Sequence, residues 1–268
     1  MTHAMQHATR LATDAEAVVV LSGAGMSAES GVPTFRDAQT GLWERFSPEE
    51  LATESAFRAN PSMVWTWYVW RAMLVDSVAP NAGHTVIGAW QQYLTSRGGS
   101  LTVATQNVDD LHERAATKDV LHLHGSLRSY RCLDCHSSAQ FDPATTGVAA
   151  DQEFNGDDLV PVVSCQYCDH GILRPEVVWF GEMLPQGAFD AAVEALRRAD
   201  LVIVVGSSGL VQPAASLPFI GREAGAAIVE INPAATGLSD SADVYVAETA
   251  AIALPKILAH VVSSAPKP

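Results

Sequence analysis

The stretch AVVVLSGAGMSA, Ala17 to Ala28, decides the fold. Its opening run Ala17 to Leu21 is continuously aliphatic and rich in β-branched residues, the pattern of a strand buried on both faces of a parallel sheet. Ser22 leads into Gly23-Ala24-Gly25-Met26-Ser27-Ala28, which matches the Gly-x-Gly-x-x-Gly/Ala turn between a strand and a helix that holds dinucleotides. Glycines let the backbone approach a pyrophosphate, and the helix N-terminus meets its charge. Such a turn also serves plain helix packing, so the hexapeptide alone leaves both readings open. The acidic residue that ordinarily follows about 20 positions on is missing, because the polar loop GVPTFRD, Gly31 to Asp37, takes its place.

Outward from this turn, short strands are predicted at Leu101–Thr105 (LTVAT), Val120–Leu123, Leu201–Val205 (LVIVV) and Ala227–Ile231 (AIVEI). Helical stretches at Gly187–Ala199 and Pro213–Ala224 separate the later ones. The alternation predicts an α/β fold with a doubly wound parallel Rossmann-like sheet; the two stretches that interrupt it, one of which holds two Cys-x-x-Cys pairs, predict a smaller zinc-binding and helical lobe. The nucleotide-binding domain is expected to comprise residues 1–46, 79–127 and 174–268, and the small lobe residues 47–78 and 128–173. The first lobe segment is rich in Trp and Tyr and opens with Ser47 as N-cap before Pro48. The second has little periodicity, and an inserted loop is expected around Asp142–Asp158. The tail after His260 is expected to fray.

With 268 residues and 48% hydrophobic content, the chain can bury a substantial core. A net charge of -14 excludes a general nucleic-acid binder, which needs clustered Lys and Arg. The acidity suits Lys-rich protein partners through long-range steering, and equally suits mere solubility. No apolar run reaches the roughly 20 residues that cross a bilayer, and no signal peptide is readable, so a cytoplasmic protein is expected.

All four cysteines lie in two Cys-x-x-Cys pairs, Cys132/Cys135 and Cys165/Cys168. Two such pairs present four thiolates to one tetrahedral zinc, and a closed shell makes the ion structural. A redox-active dithiol is the other reading of the same residues.

Several further blocks stand in a fixed order: TQNVDDLH (Thr105–His112), LHGS (Leu123–Ser126), VVWFGE (Val177–Glu182), VGSSGLVQPAA (Val205–Ala215) and Ile231-Asn232. With GAGMSAESGVPTFRD (Gly23–Asp37) and the cysteine pairs, they resemble the sirtuin family from about Val18 to Pro255. The resemblance implies an NAD-dependent protein lysine deacylase, acting on acyl-lysine proteins or peptides and carrying one structural zinc ion; a monomer is expected. It implies that the acyl oxygen attacks C1′ of the nicotinamide ribose and that His124 activates the 2′-hydroxyl. Nicotinamide, 2′-O-acyl-ADP-ribose and free lysine are then the products.

Residue by residue, the resemblance makes His124, Asn107 and Asp109 catalytic. Gly23, Ala24, Gly25, Ser27, Ala28, Phe35, Arg36, Gln106, Gly206, Ser207, Ser208, Asn232 and Ala250 join Asn107 and Asp109 in binding NAD. An imidazole with an ordinary pKa near 6.5 suits proton abstraction, whereas neighbouring His122 is assigned a structural role. Asp110 reads as a helix cap. VVWFGE resembles the segment that pairs with the substrate backbone, and its alternating Val178, Phe180 and Glu182 are expected to face substrate; Trp179 also reads as part of a buried strand. Two rivals remain: an ADP-ribosyltransferase, and a noncatalytic NAD- or acyl-lysine-binding module.

Tyr68 and Arg71 lie three residues apart, on one helix face. A guanidinium fork beside a phenol suits a carboxylate. The pair, with Ala52 widening the pocket, resembles the sirtuin branch that removes succinyl and malonyl groups. Without the family, Arg71 reads as a surface residue pairing with Asp76 or Glu44.

Overall fold

The computed structural model describes residues 2–33, 48–151 and 154–264. Its main sheet runs, in spatial order, Leu121–His122 (β3), Ser100–Thr105 (β2), Ala17–Ser22 (β1), Leu201–Val205 (β7), Ala227–Ile231 (β8) and Val244–Val246 (β9). Every neighbouring pair is parallel. Alternate side chains of β1 enter opposite cores, Val18 and Val20 on one face and Val19 and Leu21 on the other. Burial on both faces is why β1 reads as an unbroken apolar run.

Helices His3–Asp14 (α1), Ala82–Ser96 (α6) and Ala250–Ser264 (α10) cover the Val18 face through Ala8, Trp90 and Leu254. Helices Gln186–Leu196 (α8) and Leu217–Glu223 (α9) cover the other through Leu196 and Leu217. Each fully buried aliphatic side chain contributes about 1.5 to 3 kcal/mol.

A separate core holds the helices Pro48–Leu51 (α3), Glu54–Ala59 (α4) and Pro61–Ser77 (α5) against an antiparallel sheet of Ser138–Ala139 (β5), Gly125–Cys132 (β4) and Leu173–Val177 (β6). Its interior is aromatic: Phe57, Trp65, Trp67, Tyr68 and Trp179 are all buried. Helix α5 buries residues around most of its circumference, so no single apolar stripe marks it.

Four expectations change. Strand β4 was hidden because its register shifts between Ser126 and Tyr130, and the bulge breaks the alternation of burial. The helix expected from Pro213 begins at Leu217, after a 3-10 turn at Ala214–Ser216, with Pro218 in its first turn where a missing N–H costs nothing. Helix α10 continues past His260 to Ser264 because Val261 is anchored in the core. The segment Val178–Glu182 is no strand: it loops back through Gly181 at φ 88°, and the Glu182 N–H donates to the Trp179 carbonyl at 3.0 Å. Ser47 lies outside the described residues.

Candidate active site

Parallel register brings the chemistry-bearing residues to one edge. Ser22 is level with Thr105 and Val205, and Val205 with Ile231. The residues that follow, Gly23, Gln106, Gly206 and Asn232, therefore leave the sheet together at the carboxyl ends of β1, β2, β7 and β8. Strand order reverses beside β1, which is where open α/β sheets form their ligand crevice.

The glycines of this edge are forced by packing. A Cβ on Gly25 would sit 2.8 Å from the Gly206 Cα, and one on Gly206 would sit 2.3 Å from the Met26 nitrogen. Gly206 also has φ 61°. The N–H groups of Gly23 and Gly25 donate to Val205 and Gly206 carbonyls at 3.0 and 2.8 Å. Those two amides lock β1 to β7, so a pyrophosphate would rely on other donors nearby. The helix they open, Gly25–Ala28 (α2), buries Met26 and Ser27 and leaves Ala24 and Ala28 half-buried.

Ser27 is the hub of the buried polar cluster. Its hydroxyl donates to Asp109 Oδ2 at 2.9 Å and accepts from Asn107 Nδ2 at 3.0 Å. Asp109 also accepts the Leu111 N–H at 3.1 Å, capping the helix Leu111–Arg114 (α7). Burial raises the Asp109 carboxyl above the usual range, and those two hydrogen bonds hold it down in part. Asp110, the expected cap, makes no capping bond; it pairs with Arg128 at 2.9 Å instead. Gln106 Nε2 donates to Ser207 Oγ at 3.1 Å, and Asn232 Nδ2 to the Ser207 carbonyl at 2.8 Å. Ser208 follows, half-buried, and Ala250 starts α10 from a buried position. Phe35 and Arg36 lie outside the described residues.

His124 stands just beyond β3 with Nδ1 3.1 Å from the Gln106 carbonyl oxygen. A carbonyl accepts only, so Nδ1 carries the proton and Nε2 offers a lone pair. Burial pushes its pKa below the ordinary value, against a smaller opposite effect of the Gln106 carbonyl. His122 differs. Burial would lower it, but Glu113 at 2.6 Å overcomes this and raises its pKa.

The segment after β6 ties these parts together. Val178 donates its N–H to the His124 carbonyl at 2.8 Å, and Phe180 to the Ala52 carbonyl at 2.9 Å. Phe180 is exposed and Val178 half-buried. The Glu182 carboxylate, expected to face substrate, is engaged inside the protein: it grips Arg174, through both Nη1 and Nη2, and accepts the Trp179 N–H at 2.9 Å. Arg174 is fully buried, so its charge must be met from inside the protein. No sequence signal marks this arginine, which lies in the short strand LRPEV.

Ala52 and Tyr68 are buried, and Arg71 is half-buried on the same face of α5. Burial pushes the Tyr68 hydroxyl up to about 12 and lowers Arg71, whose charge Tyr68 and Asp109 partly support. Arg71 stacks over Trp67 at 4.9 Å but forms no ion pair among the described residues. Asp76, its possible surface partner, pairs with Arg128 at 2.5 Å. Glu44 lies outside the described residues.

The sulfurs of Cys132, Cys135, Cys165 and Cys168 all lie within 4.8 Å of one another. Two of the separations, Cys132 to Cys168 and Cys135 to Cys165, are 3.7 Å. A tetrahedron with Zn–S bonds of about 2.3 Å has edges of roughly 3.8 Å, so the donor set fits a zinc ion. Backbone N–H groups of Asp134 and Cys135 point at Cys132 Sγ, both at 3.4 Å, and support a thiolate there. Gly171 packs directly against the sulfurs.

Comparison with known proteins accords with this geometry. A Sir2 family model matches residues 23–213. An NAD-dependent protein deacylase of Mycolicibacterium paratuberculosis is 50% identical over 241 residues, 90% of this chain and 96% of that protein. One from Corynebacterium glutamicum is 43% identical over 256 residues, 95% of each chain. Among solved structures, a Sir2 homologue in complex with NAD superposes with TM-score 0.83 at 42% identity, covering 97% of this chain and 94% of that one. A Sir2 protein bound to a myristoylated histone peptide does so with TM-score 0.76 at 32% identity, covering 98% of both. Matched along nearly its whole length, the chain belongs to the Sir2 family.

Proposed function

We propose that the protein is an NAD-dependent protein lysine deacylase and that it favours acyl groups ending in a carboxylate. The deacylase reading rests on His124, whose Nδ1 is tied to the Gln106 carbonyl while Nε2 is left as a base beside the Gly23–Gly206 crevice. NAD supplies the electrophilic ribose carbon and, once nicotinamide leaves, the hydroxyl acceptor for the acyl group.

The chain's own residues divide the remaining work. Asn107 and Asp109, held through Ser27, present a rigid amide and carboxylate; positioning of this kind contributes because little reorganisation is needed during reaction. Ser207, Ser208, Asn232 and Ala250 border the adenosine half. His124 accepts a hydroxyl proton at Nε2. The peptide runs beside Val178 and Phe180, whose backbone joins the His124 and Ala52 carbonyls and so sets the distance between base and acyl pocket. Cys132, Cys135, Cys165 and Cys168 would hold the zinc, which would cross-link the two cysteine-bearing segments of the small lobe.

Acyl preference rests on Arg71. A half-buried guanidinium with no carboxylate in an ion pair with it among the described residues, beside a buried phenol, favours an anionic ligand. Rates on succinyl-, malonyl- and acetyl-lysine forms of one peptide, with nicotinamide release followed, test the reading. Higher kcat/KM on the acidic groups is expected, and a clear preference for acetyl would overturn the acidic-acyl part alone.

A further inference from the structure

Beneath the acyl pocket lies a chain of contacts that the reaction scheme does not use. Trp179 is 1% exposed, and its indole Nε1 is 2.9 Å from the Tyr68 hydroxyl oxygen. An indole nitrogen can only donate, whereas a phenol both donates and accepts. In this pair Tyr68 is therefore the acceptor. Its own O–H is left over, and no described residue accepts it.

Trp179 is held so that this assignment does not relax. The Arg174 guanidinium lies 3.4 Å from its ring centre, Phe57 packs at 5.2 Å, and Glu182 accepts its backbone N–H at 2.9 Å. A cation over the ring face also draws electron density from the indole and makes its N–H a better donor. Glu182 binds both Arg174 and Trp179, so guanidinium, indole and loop form one rigid unit.

Resting on the acidic-acyl reading above, we propose that Trp179 is a specificity-determining positioning residue, whose indole N–H occupies the acceptor side of the Tyr68 oxygen and commits that hydroxyl to donating to the carboxylate of the acyl group. Tyr68 and Arg71 then present donors alone. Acetyl-lysine has no second carboxylate to receive them, so the device acts on selectivity more than on turnover.

The test is Trp179→Phe, which keeps an aromatic ring and loses the N–H, assayed on succinyl- and acetyl-lysine forms of one peptide. The ratio of the two kcat/KM values is expected to fall about five- to twentyfold, mostly through KM for the succinyl peptide, as loss of control over one charge-assisted hydrogen bond would do. In a Tyr68→Phe background the same change should leave the ratio within about twofold, since coupled residues are not additive. If Trp179→Phe does not fold, 3-benzothienylalanine at position 179 keeps the ring shape without the N–H and serves in its place. Equal losses on both substrates, or the same ratio change with and without the Tyr68 hydroxyl, overturn the proposal alone. A wild-type enzyme with no preference for the succinyl peptide overturns the acidic-acyl reading and this proposal with it.

Discussion

The Nδ1 of His124 donates to the Gln106 carbonyl at 3.1 Å, which turns the opposite nitrogen of the ring into a base. Replacing His124 with Ala should abolish deacylation by at least the hundred- to ten-thousandfold that general-base groups contribute, while fold and zinc content persist. Because burial holds the His124 pKa below 6.5, the neutral base persists to lower pH than a free imidazole would. The acid limb of the kcat/KM profile should therefore lie below pH 6.5. A limb above that value, or near-wild-type turnover of the Ala variant, would contradict the assignment.

Arg71→Met removes a guanidinium beside Tyr68 that forms no ion pair among the described residues. A charge-assisted contact contributes about 1.5 to 3 kcal/mol, so kcat/KM on a succinyl peptide should fall on the order of tenfold to a hundredfold. The acetyl peptide should lose far less. Parallel measurement on both peptides decides the matter, since equal losses would remove the carboxylate role.

Gly171→Ala should damage the metal site with no thiolate changed. Its Cβ would lie 2.3 Å from Cys132 Sγ and 2.6 Å from Cys168 Sγ, separations that no local shift of a metal-bound sulfur can relieve. The variant should release zinc to a chelator faster than wild type, and its melting temperature should drop to that of the zinc-stripped protein. Zinc retention equal to wild type would show that the site accommodates a Cβ at position 171, against the crowding of Cys132 and Cys168.

Glu182→Ala should destabilise the fold by about 3 to 5 kcal/mol, the usual result of stranding a buried charge. Arg174 is 1% exposed, and the remaining oxygens near it are backbone carbonyls, which cannot neutralise it. Urea unfolding would read this directly. A change under 1 kcal/mol would mean that water reaches the arginine after all.

His84 and His112 touch at a ring separation of 4.8 Å in the core, and burial pushes their pKa values down to about 4 and about 3. Unfolded, both would titrate near 6.5. Between pH 6.5 and 4 the unfolded chain therefore binds more protons than the folded one, and stability is lost as pH falls. Each histidine contributes a slope approaching 1.4 kcal/mol per pH unit within that window. Urea unfolding at pH 7 and pH 5 should show the loss, and His84→Gln should make it smaller.

Much of the architecture was legible before any coordinates. Strand β1 is apolar throughout because both its faces are covered, and the cysteine spacing implied one tetrahedral site. Strand β4 was not legible, since its bulge breaks the period-two pattern that betrays a strand. Glu182 was expected to face substrate because alternation was carried past the end of β6, and Gly181 at φ 88° turns the chain back there.

By itself the amino-acid order determined the local preferences: which segments are strands, where backbone must pack closely, and which side chains carry acid, base or thiolate chemistry. Only the tertiary structure decided their pairing. Ser27 meets Asp109 across 82 positions, and Tyr68 meets Trp179 across 111, through parallel register and a shared aromatic core. The partner of Arg174 and the pairing of the Trp179 indole with the Tyr68 hydroxyl follow from burial, because a group removed from water must find its charge or hydrogen bond in whatever side chain the fold brings near. That neighbour is a property of the packing and is written in no local stretch of sequence.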